Sequence, residues 1–552
     1  MTIRTLADEQ LDVLCRADPV EATLFGIPGY DHLLPELSED GEAALRDRAS
    51  DIAARAAAVD PSTLDDEDAV TRAVVEQQAL ARIDHIDSRL AEFTITGLFI
   101  SPAAQLLSIL PLAVLPDVDR ARAYVERLHA IPGYLATVGE RHRIGVSAGR
   151  HPVARLVRDA IDQLDRYLAD PAADPLLRQQ LPAEANGIVE ARERAVAEHV
   201  RPAFAAYRNL LADEILRHGR SDEQAGVCWL PGGDTVYSGL SRVHTTIERS
   251  AEDLHQIGLD LAAQLAEEYA ELGAKVFGVS DQAEIFRRMT TDPAMRWNNA
   301  DEVLDAAVRA VRRAEGVAKD WFGLLPKAPC TVMPVPAAEA PTSPAAYYVN
   351  PAMDGSREGT YFANTHRAEQ RDRFTAEVIA FHEAVPGHHL QSAVAQELSH
   401  LPLLRRFLPI NVYGEGWGLY SERLADEMGL YSGDLDRLGM LAMDSLRAGR
   451  LVVDTGLHAK GWSRSQAVGY LRENTPLSDL EIGAEVDRYI AYAGQALSYM
   501  VGRLEIQRLR AKAQTALGPR FDIKSFHDVV LGGGSLPLGV LDDVVSGWIT
   551  SR

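Results

Sequence analysis

Three histidines and a glutamate lie within eight residues and could together build a metal site. Residues 382–389 read HEAVPGHH and follow an apolar run that predicts a helix from Phe374. In the zinc motif HExxH, histidines four residues apart lie on one helix face, and the glutamate between them faces the metal-bound water. Here position 386 is proline, and the next histidines come six and seven residues after His382. The segment therefore predicts metal chemistry with an altered spacing.

The choice of second ligand lies between His388 and His389. On a regular helix His389 has the right phase relative to His382, but it lies about 10.5 Å further along the axis, too far to share one tetrahedral ion. His388 has the wrong phase on a regular helix. However, Pro386 cannot donate to the helix ladder and Gly387 is permissive, so we expect a break that brings His388 to His382. His388 is the favoured ligand and His389 the alternative.

A third protein ligand is expected, because catalytic zinc takes three and leaves one position open. Glu415 follows His388 by 27 residues, enough for a turn and a returning helix, and Gly414 and Gly416 would let that helix approach closely. Glu422, seven residues later, lies on the same face and could fix the tautomer of a ligand histidine. We expect one zinc per chain, with the general base supplied by the glutamate next to His382. A chance His-Glu pair or a structural histidine is the competing interpretation.

Further candidates lie in the last quarter of the chain. Asp454 and His458 are four residues apart, so His458 could stabilise an oxyanion while Asp454 orients it, or the two could form an ordinary surface pair. Arginines are candidates to hold a substrate carboxylate in bidentate fashion. They are Arg447, Arg450, Arg488 and Arg503, of which Arg447 and Arg450 are favoured.

The elements that must position these residues are mostly helices. Apolar periodicity and capping residues predict helices over residues 45–59, 184–217, 250–272 and 301–321, with Pro202 a point of division. Residues 93–116 carry no charge, but three prolines favour a short buried helix with turns over a membrane span. Residues 326–344 form a Pro/Ala-rich connection. Aromatic and β-branched runs at 345–350 and 359–365 predict a hairpin around Asp354-Gly355.

Composition narrows the function classes. The 552 residues carry 56 Lys+Arg against 80 Asp+Glu, a net charge of −24, which disfavours general nucleic-acid or anionic-membrane binding. Three separated cysteines argue against a disulfide framework and fit a reducing compartment. Acidic residues precede any apolar stretch at the N-terminus, so no signal peptide is expected. These features predict a cytoplasmic protein.

Taken together, these motifs resemble the DUF885 family of bacterial proteins. That family is grouped with the gluzincin metallopeptidases, and its fold is similar to the M32 carboxypeptidases and more distantly to the M2 and M3 peptidases. The sequence departs from the family at Ala493, where proline is common. The resemblance rests on HEAVPGHH at 382–389, YGEGWGLYSE at 413–422, and segments at 22–35, 230–237, 447–458 and 494–499.

The resemblance implies a mainly α, zincin-like fold with a deep central channel and a small sheet beside the metal-binding helix. We expect a single domain over 1–552 with subdomains of about 1–325 and 345–552. In gluzincins a Tyr or His from a C-terminal helix donates to the tetrahedral intermediate, and Tyr499 matches best. Substrate contacts are expected from Gln495, Tyr489 and the strand 360–364 with Tyr361, whose edge could pair with a substrate backbone.

The predicted function is therefore a zinc-dependent peptidase of short peptides, with Glu383 as general base. One alternative is a metal-dependent hydrolase of a non-peptide amide or ester, which would use the same site. A second is a non-catalytic helical binding protein. The sequence leaves the substrate, the end that is cleaved and the oligomeric state open.

Overall fold

Helices dominate the computed structural model, which describes residues 2–185, 187–337, 340, 343–351 and 357–552. About 70% of the chain is helical and 3% is strand, which confirms the mainly α prediction. The α-helices of the described residues are α1 (Ile3–Ala17), α2 (Pro19–Leu24), α3 (Glu39–Ala57), α4 (Asp66–Asp87), α5 (Pro102–Ser108), α6 (Val118–Ser147), α7 (Ala154–Ala169), α8 (Ile188–Ala195), α9 (Arg201–Leu210), α10 (Gly233–Thr245), α11 (Ala251–Phe277), α12 (Gln282–Thr291), α13 (Ala300–Trp321), α14 (Ala376–Glu383), α15 (His388–Glu397), α16 (Leu403–Phe407), α17 (Asn411–Glu427), α18 (Asp434–His458), α19 (Arg464–Asn474), α20 (Asp479–Ala491), α21 (Ser498–Leu517), α22 (Ile523–Leu531) and α23 (Leu538–Ser551).

The predicted helices are found, with small differences at their ends. Ser250 caps α11 by accepting from the amide of Asp253, as its position before an apolar period predicts. Helix α13 is capped by Asn299, so the expected cap at Asp301 is wrong by two residues. The predicted helix 184–217 becomes α8 and α9, linked by a π-helical turn at Val196–Val200, and Pro202 lies in the first turn of α9.

The uncharged stretch 93–116 forms the short helix α5 with flanking turns. Ala103, Ala104 and Leu106 are buried, which confirms the prediction of a short buried helix. Among the described residues, no helix combines the length and apolar character that a membrane crossing requires.

A three-stranded sheet lies in the sequence directly before α14. Its strands are β1 (Cys330–Pro334), β2 (Ala346–Val349) and β3 (Gly359–Ala363), in the order β1-β3-β2. The predicted hairpin is confirmed, because β2 and β3 pair antiparallel; its expected turn at Asp354-Gly355 lies outside the described residues. Strand β1 pairs parallel to β3 and comes from the stretch interpreted as a connection. Its single valine between Thr and Met gave little strand signal.

The position of β3 corrects the prediction that residues 360–364 pair with substrate. Val332 of β1 and Tyr348 of β2 lie on either side of Tyr361, so β3 is the central strand. Both of its backbone edges are used within the sheet, and a substrate cannot pair with it. The free edges belong to β1 and β2.

The hydrophobic core joins distant parts of the chain. The largest cluster of buried apolar residues runs from Ile3 to Val545 and packs α13, α14, α17 and α21 together. A second cluster holds α5 to α9. The long helices α11 and α18 lie against each other, as do α17 and α21. The division into two subdomains around a channel stays a prediction.

Candidate metal centre

The helix that carries the first histidine breaks where the sequence predicts. α14 ends at Glu383 and α15 begins at His388. Between them Ala384 has ψ −110° and Gly387 has ψ −130°, neither of which is helical. A Cβ on Gly387 would lie 1.9 Å from the carbonyl oxygen of His382, so only glycine fits this turn. The break lets the chain double back over the end of α14.

The break brings His388 to His382 and leaves both facing Glu415. The Nε2 atoms of His382 and His388 lie 3.5 and 3.6 Å from Glu415 Oε2, and the donor atoms of all three residues lie within 4.8 Å of one another. Tetrahedral zinc with ligands at about 2.0–2.1 Å separates its donors by about 3.3 Å. The two histidines and the carboxylate therefore fit a zinc ion in both chemistry and spacing.

Glu422 fixes the orientation of His382. It is 1% exposed, and its Oε1 accepts a 2.7 Å hydrogen bond from the Nδ1–H of His382. A proton held on Nδ1 leaves the Nε2 lone pair directed at Glu415. Arg447 Nη2 lies 3.7 Å from the same Glu422 oxygen, so this arginine, predicted to bind substrate, balances the charge of Glu422. Glu422 therefore takes the role that its spacing from Glu415 predicts.

Electrostatics show how tightly the three donors are coupled. Burial alone would lower the pKa of His382, but Glu415 and Glu422 outweigh it and raise that pKa to about 10. Burial likewise opposes ionisation of Glu415, yet His382 and His388 hold the pKa of its carboxyl well below the ordinary value. A positive charge is thus strongly favoured among these donors, and a bound divalent cation would supply it.

Two glycines of α17 set the approach of Glu415, although not the pair expected. A Cβ on Gly418 would lie 2.6 Å from the ring of His382, so this residue lets α17 pack onto α14. A Cβ on Gly416 would lie 2.5 Å from the Cα of Gly502 on α21. Gly414 meets nothing closer than 3.9 Å. The glycines therefore bring Glu415 close to two helices at once.

His389, the alternative ligand, is committed elsewhere. Its Nδ1 accepts from the hydroxyl of Tyr348 at 2.9 Å, and its Nε2 donates to the carbonyl of Ala328 at 3.0 Å. Burial lowers its pKa to about 4, which keeps the ring neutral. Because both nitrogens are used, the structure groups His388 with His382 and assigns His389 to the contact between α15 and the sheet.

Glu383 ends α14 beside the sheet. It is half-buried, while Tyr361 on β3 is 3% exposed. Burial and then the charge of Glu383 raise the pKa of Tyr361, so the carboxylate acts electrostatically on the hydroxyl. Tyr361 thus lies at the candidate base, although its strand cannot bind substrate as an edge.

Tyr499 is under the electrostatic influence of Glu415. Burial and then the charge of Glu415 raise the pKa of this partly buried tyrosine. The guanidinium of Arg450 lies 4.4 Å from the centre of its ring, and that of Arg447 lies 5.8 Å away. The charge of Glu415, a candidate metal ligand, therefore acts on the tyrosine that the sequence singles out.

The remaining predicted substrate residues form one network around a glutamate. Glu485 Oε2 accepts from Arg450 and from Arg488, both at 3.0 Å. Arg450 Nε also donates to the hydroxyl of Tyr489 at 3.0 Å, and Arg488 Nη1 donates to Gln495 Oε1 at 2.7 Å. Arg450 Nη1 is buried without a partner. Sequence reasoning missed Glu485, which its spacing of three from Arg488 could have signalled.

His458 and Asp454 do not form the expected catalytic pair. His458 is fully buried; its Nδ1 accepts from the amide of Val227 at 3.1 Å, and its Nε2 donates to the carbonyl of Tyr489 at 3.0 Å. Asp454 accepts instead from the hydroxyl of Tyr237 at 2.7 Å. With no free nitrogen, His458 cannot stabilise an oxyanion, so this prediction is corrected. The surface-pair alternative fails as well, because both residues are buried.

Arg503 is also removed from the candidates for substrate binding. Its guanidinium donates to Asp444, which is fully buried and also accepts from Arg423. Both cations lower the pKa of Asp444 against the effect of burial. The trio is an internal ion cluster that joins α17, α18 and α21.

One cavity adjoins the three donors, and a second cavity shares part of its wall. The first, of about 250 Å³, is named the metal-side cavity because His388 and Glu415 line it. Tyr348, Asn350 and Gln391 form part of its wall. The second, of about 280 Å³, is named the N-terminal cavity because α1, α2 and α4 contribute to its lining. Both are bounded by Phe25 and residues 407–411.

Comparison with known proteins gives a family and a fold. Residues 19–545 match the family described as bacterial proteins of unknown function, DUF885. A protein described as a putative lipoprotein from Colwellia psychrerythraea is 26% identical with a TM-score of 0.90, covering 100% of both chains. One described as a putative lipoprotein of unknown function from Shewanella oneidensis is 18% identical with a TM-score of 0.75, covering 99% of this chain and 100% of the other. No curated protein matches the sequence.

Proposed function

The chain belongs to the DUF885 family of bacterial proteins, and we propose that it is a zinc-dependent peptidase of the gluzincin type, acting on short peptides. The observation that carries the proposal is the grouping of His382, His388 and Glu415, with donor atoms within 4.8 Å of one another and a glutamate beside the first ligand. Three protein ligands with one open position are typical of catalytic zinc.

The chain's own residues can complete peptide hydrolysis around such an ion. When bound, zinc supplies Lewis acidity, which polarises a carbonyl and lowers the pKa of water. Glu383 accepts one proton from the attacking water and passes it to the amine that leaves as the C–N bond breaks. The water oxygen ends in the new carboxylate, and its second proton goes to the released amine, which leaves as an ammonium group. Glu422 holds the His382 ring in place throughout through their 2.7 Å hydrogen bond.

Tyr499 is proposed to donate from its hydroxyl to the oxyanion. The effect of the Glu415 charge on its pKa supports this role, and the raised pKa keeps the hydroxyl protonated and able to donate. Arg450, stacked on the Tyr499 ring, holds the tyrosine in position and has an unpartnered Nη1 for a substrate oxygen. A donor aimed at developing negative charge is the usual means of stabilising this transition state.

Short peptides are the proposed substrates because the donors lie below the surface. His382 is 5% exposed, and Glu415 is reached from a cavity of about 250 Å³. An extended peptide, at about 3.3 Å per residue, can enter such a space, whereas a folded surface cannot. The net charge of −24 should disfavour acidic peptides at low ionic strength.

The test is a library of peptides of mixed length, read by mass spectrometry with and without a chelator. We expect cleavage of short peptides that the chelator abolishes and added zinc restores. Cleavage that is insensitive to chelator would remove the zinc mechanism. Turnover of amide or ester metabolites with no peptide cleaved would replace the peptidase by the non-peptide hydrolase.

A further inference from the structure

The N-terminal cavity contains an arginine that has no partner. Arg82 of α4 lines it, and the Arg82 Nε is buried without a hydrogen bond. In the described part of the chain, no carboxylate lies within the 4.0 Å of an ion pair with Arg82; Asp18, Glu42 and Glu21 act on it only from further away. Arg82 is half-buried. Because a guanidinium keeps its charge, a position partly withdrawn from water favours a counter-ion.

A second unpartnered group faces the same cavity. His244 of α10 is 6% exposed, and its Nε2 has no hydrogen-bond partner among the described residues. Its ring contacts Tyr492 edge-on at 5.0 Å, and Tyr492 also lines the cavity. Buried polar groups are normally satisfied by protein or water. Two such groups on one cavity wall indicate that a polar ligand completes them.

The acidic residues of the cavity do not serve as partners. Asp18 accepts from Gln105 at 3.0 Å and caps α2 through the amide of Glu21 at 2.9 Å. Burial and the charge of Asp18 raise the pKa of Glu21 to about 7, so its carboxyl is partly neutral near that pH. Arg82 therefore remains the group in most need of a counter-ion.

The N-terminal cavity adjoins the metal-side cavity. Phe25 and residues 407–411 bound both cavities. Asn411 is the first residue of α17, and Glu415 lies one turn further along the same helix.

We propose that the N-terminal cavity binds a carboxylate of the substrate, with Arg82 as its counter-ion and His244 as a further hydrogen-bond partner. The inference rests on the proposed peptidase function and deepens it by naming the end of the substrate that is recognised. The carboxylate belongs either to the C-terminus of the peptide or to an acidic side chain. Bidentate pairing of guanidinium with carboxylate provides both strength and direction.

The experiment measures binding separately from turnover. Three tetrapeptides of otherwise equal sequence are titrated calorimetrically into zinc-loaded Glu383→Gln protein: a free acid, its amide, and an amide with glutamate as last residue. We expect the free acid to bind roughly tenfold or more tightly than the plain amide, the usual value of a charged hydrogen bond. Equal binding of all three peptides would overturn the proposal. Tighter binding of the glutamate amide than of the free acid would move the carboxylate from the C-terminus to the side chain.

Variants of Arg82 show whether this residue causes the preference for the free acid. Adding Arg82→Gln should abolish the preference for the acid, while Arg82→Lys keeps the charge and should retain part of it. Arg72→Gln is the matched control, since Arg72 lies on the same helix and donates to the carbonyl of Val59. A preference that survives Arg82→Gln would also overturn the assignment.

Hydrolysis of the same peptides by wild-type protein separates the two proposals. If the acid and the amide were cleaved equally, and a chelator stopped both reactions, the proposed role of Arg82 would be contradicted and the proposed peptidase function would be supported. An Arg82-dependent binding preference without any cleavage would support the cavity and remove the peptidase.

Discussion

Two groups that combine histidine with a carboxylate, one at the candidate metal centre and one at the end of α18, differ in whether a ring nitrogen is left free to bind a ligand. At the candidate metal centre, Nε2 of His382 and Nε2 of His388 both face one carboxylate oxygen. At the end of α18, His458 has one nitrogen on an amide and the other on a carbonyl. A histidine becomes a candidate for chemistry only when one nitrogen is fixed and the other stays free.

The difference arises from the backbone around each histidine. α14 is interrupted after Glu383, which turns a second histidine onto the first. α18 runs unbroken to His458, and Gly226 packs so tightly that its Cβ would lie 1.7 Å from the carbonyl oxygen of Leu457. This packing presents the amide of Val227 to the ring. The His458 group therefore joins two segments, whereas the His382 group keeps a gap between its donors.

The largest expected effect is on zinc content. His382→Ala should reduce zinc from about one ion per chain to none and abolish turnover, because the remaining two ligands cannot complete the site. His458→Gln and His389→Ala should keep the full zinc content. Elemental analysis after gel filtration measures this. If His382→Ala retained zinc, or if His389→Ala alone lost it, the assignment of the ligand histidines would be wrong.

The next effect concerns the base. Glu383→Gln should lower kcat by about 10²–10⁴-fold while zinc and fold are kept, because the amide cannot accept the proton of water. Glu369→Gln, at an exposed position, is the matched control and should turn over normally. Wild-type kcat in Glu383→Gln would remove this residue from the mechanism.

A smaller effect is expected from the residue that orients His382. Glu422→Gln should weaken zinc binding by about 10–100-fold, since a partner behind a ligand histidine sets its tautomer and basicity. Glu427→Gln on the same helix is the control; its carboxylate pairs with Arg510 near the surface. Competition with a chromogenic chelator gives both affinities. Equal affinities in the two variants would show that the 2.7 Å hydrogen bond has no influence on the metal.

The smallest effect is a change in the pH dependence of stability. Burial lowers the pKa of His458 to about 4 from an unfolded value of about 6.5. Between these values the unfolded chain binds more protons, so the free energy of unfolding falls as pH falls from 6.5 towards 4. His458→Gln should remove the contribution of one proton to the slope of the free energy of unfolding against pH. That contribution is about 1.4 kcal/mol per pH unit.

Urea unfolding of zinc-free protein at several pH values in that window measures this change. Both proteins are held metal-free, so that the candidate ligands contribute equally. Other buried histidines with pKa lowered to about 4, such as His142 and His527, should keep a residual slope in the variant. An unchanged slope would mean that His458 is not neutral in the folded protein.

The sequence predicted the helix break and the grouping of Glu415 with the two histidines from local chemistry. Proline and glycine between the histidines indicated a change of direction, and a glutamate between glycines indicated a close helix. It could not show that His389 and His458 are occupied, because their partners at Ala328, Tyr348 and Val227 come from distant segments. The alternation of residue types along β3 could not show that a strand lies on each side of it, because the sequence of β1 gives little strand signal. Cytoplasmic location stays a prediction.

The contact between Gly416 and Gly502 offers a way to adjust this protein without altering its reactive groups. Gly416 adjoins Glu415 on α17, and Gly502 lies one turn from Tyr499 on α21. Because the two backbones touch here, the closeness of the helices at this contact contributes to how far the carboxylate and the phenol stand apart. Alanine at either glycine would push the two helices apart and widen this gap. Substitutions at this pair are therefore a way to change the space beside the candidate metal centre.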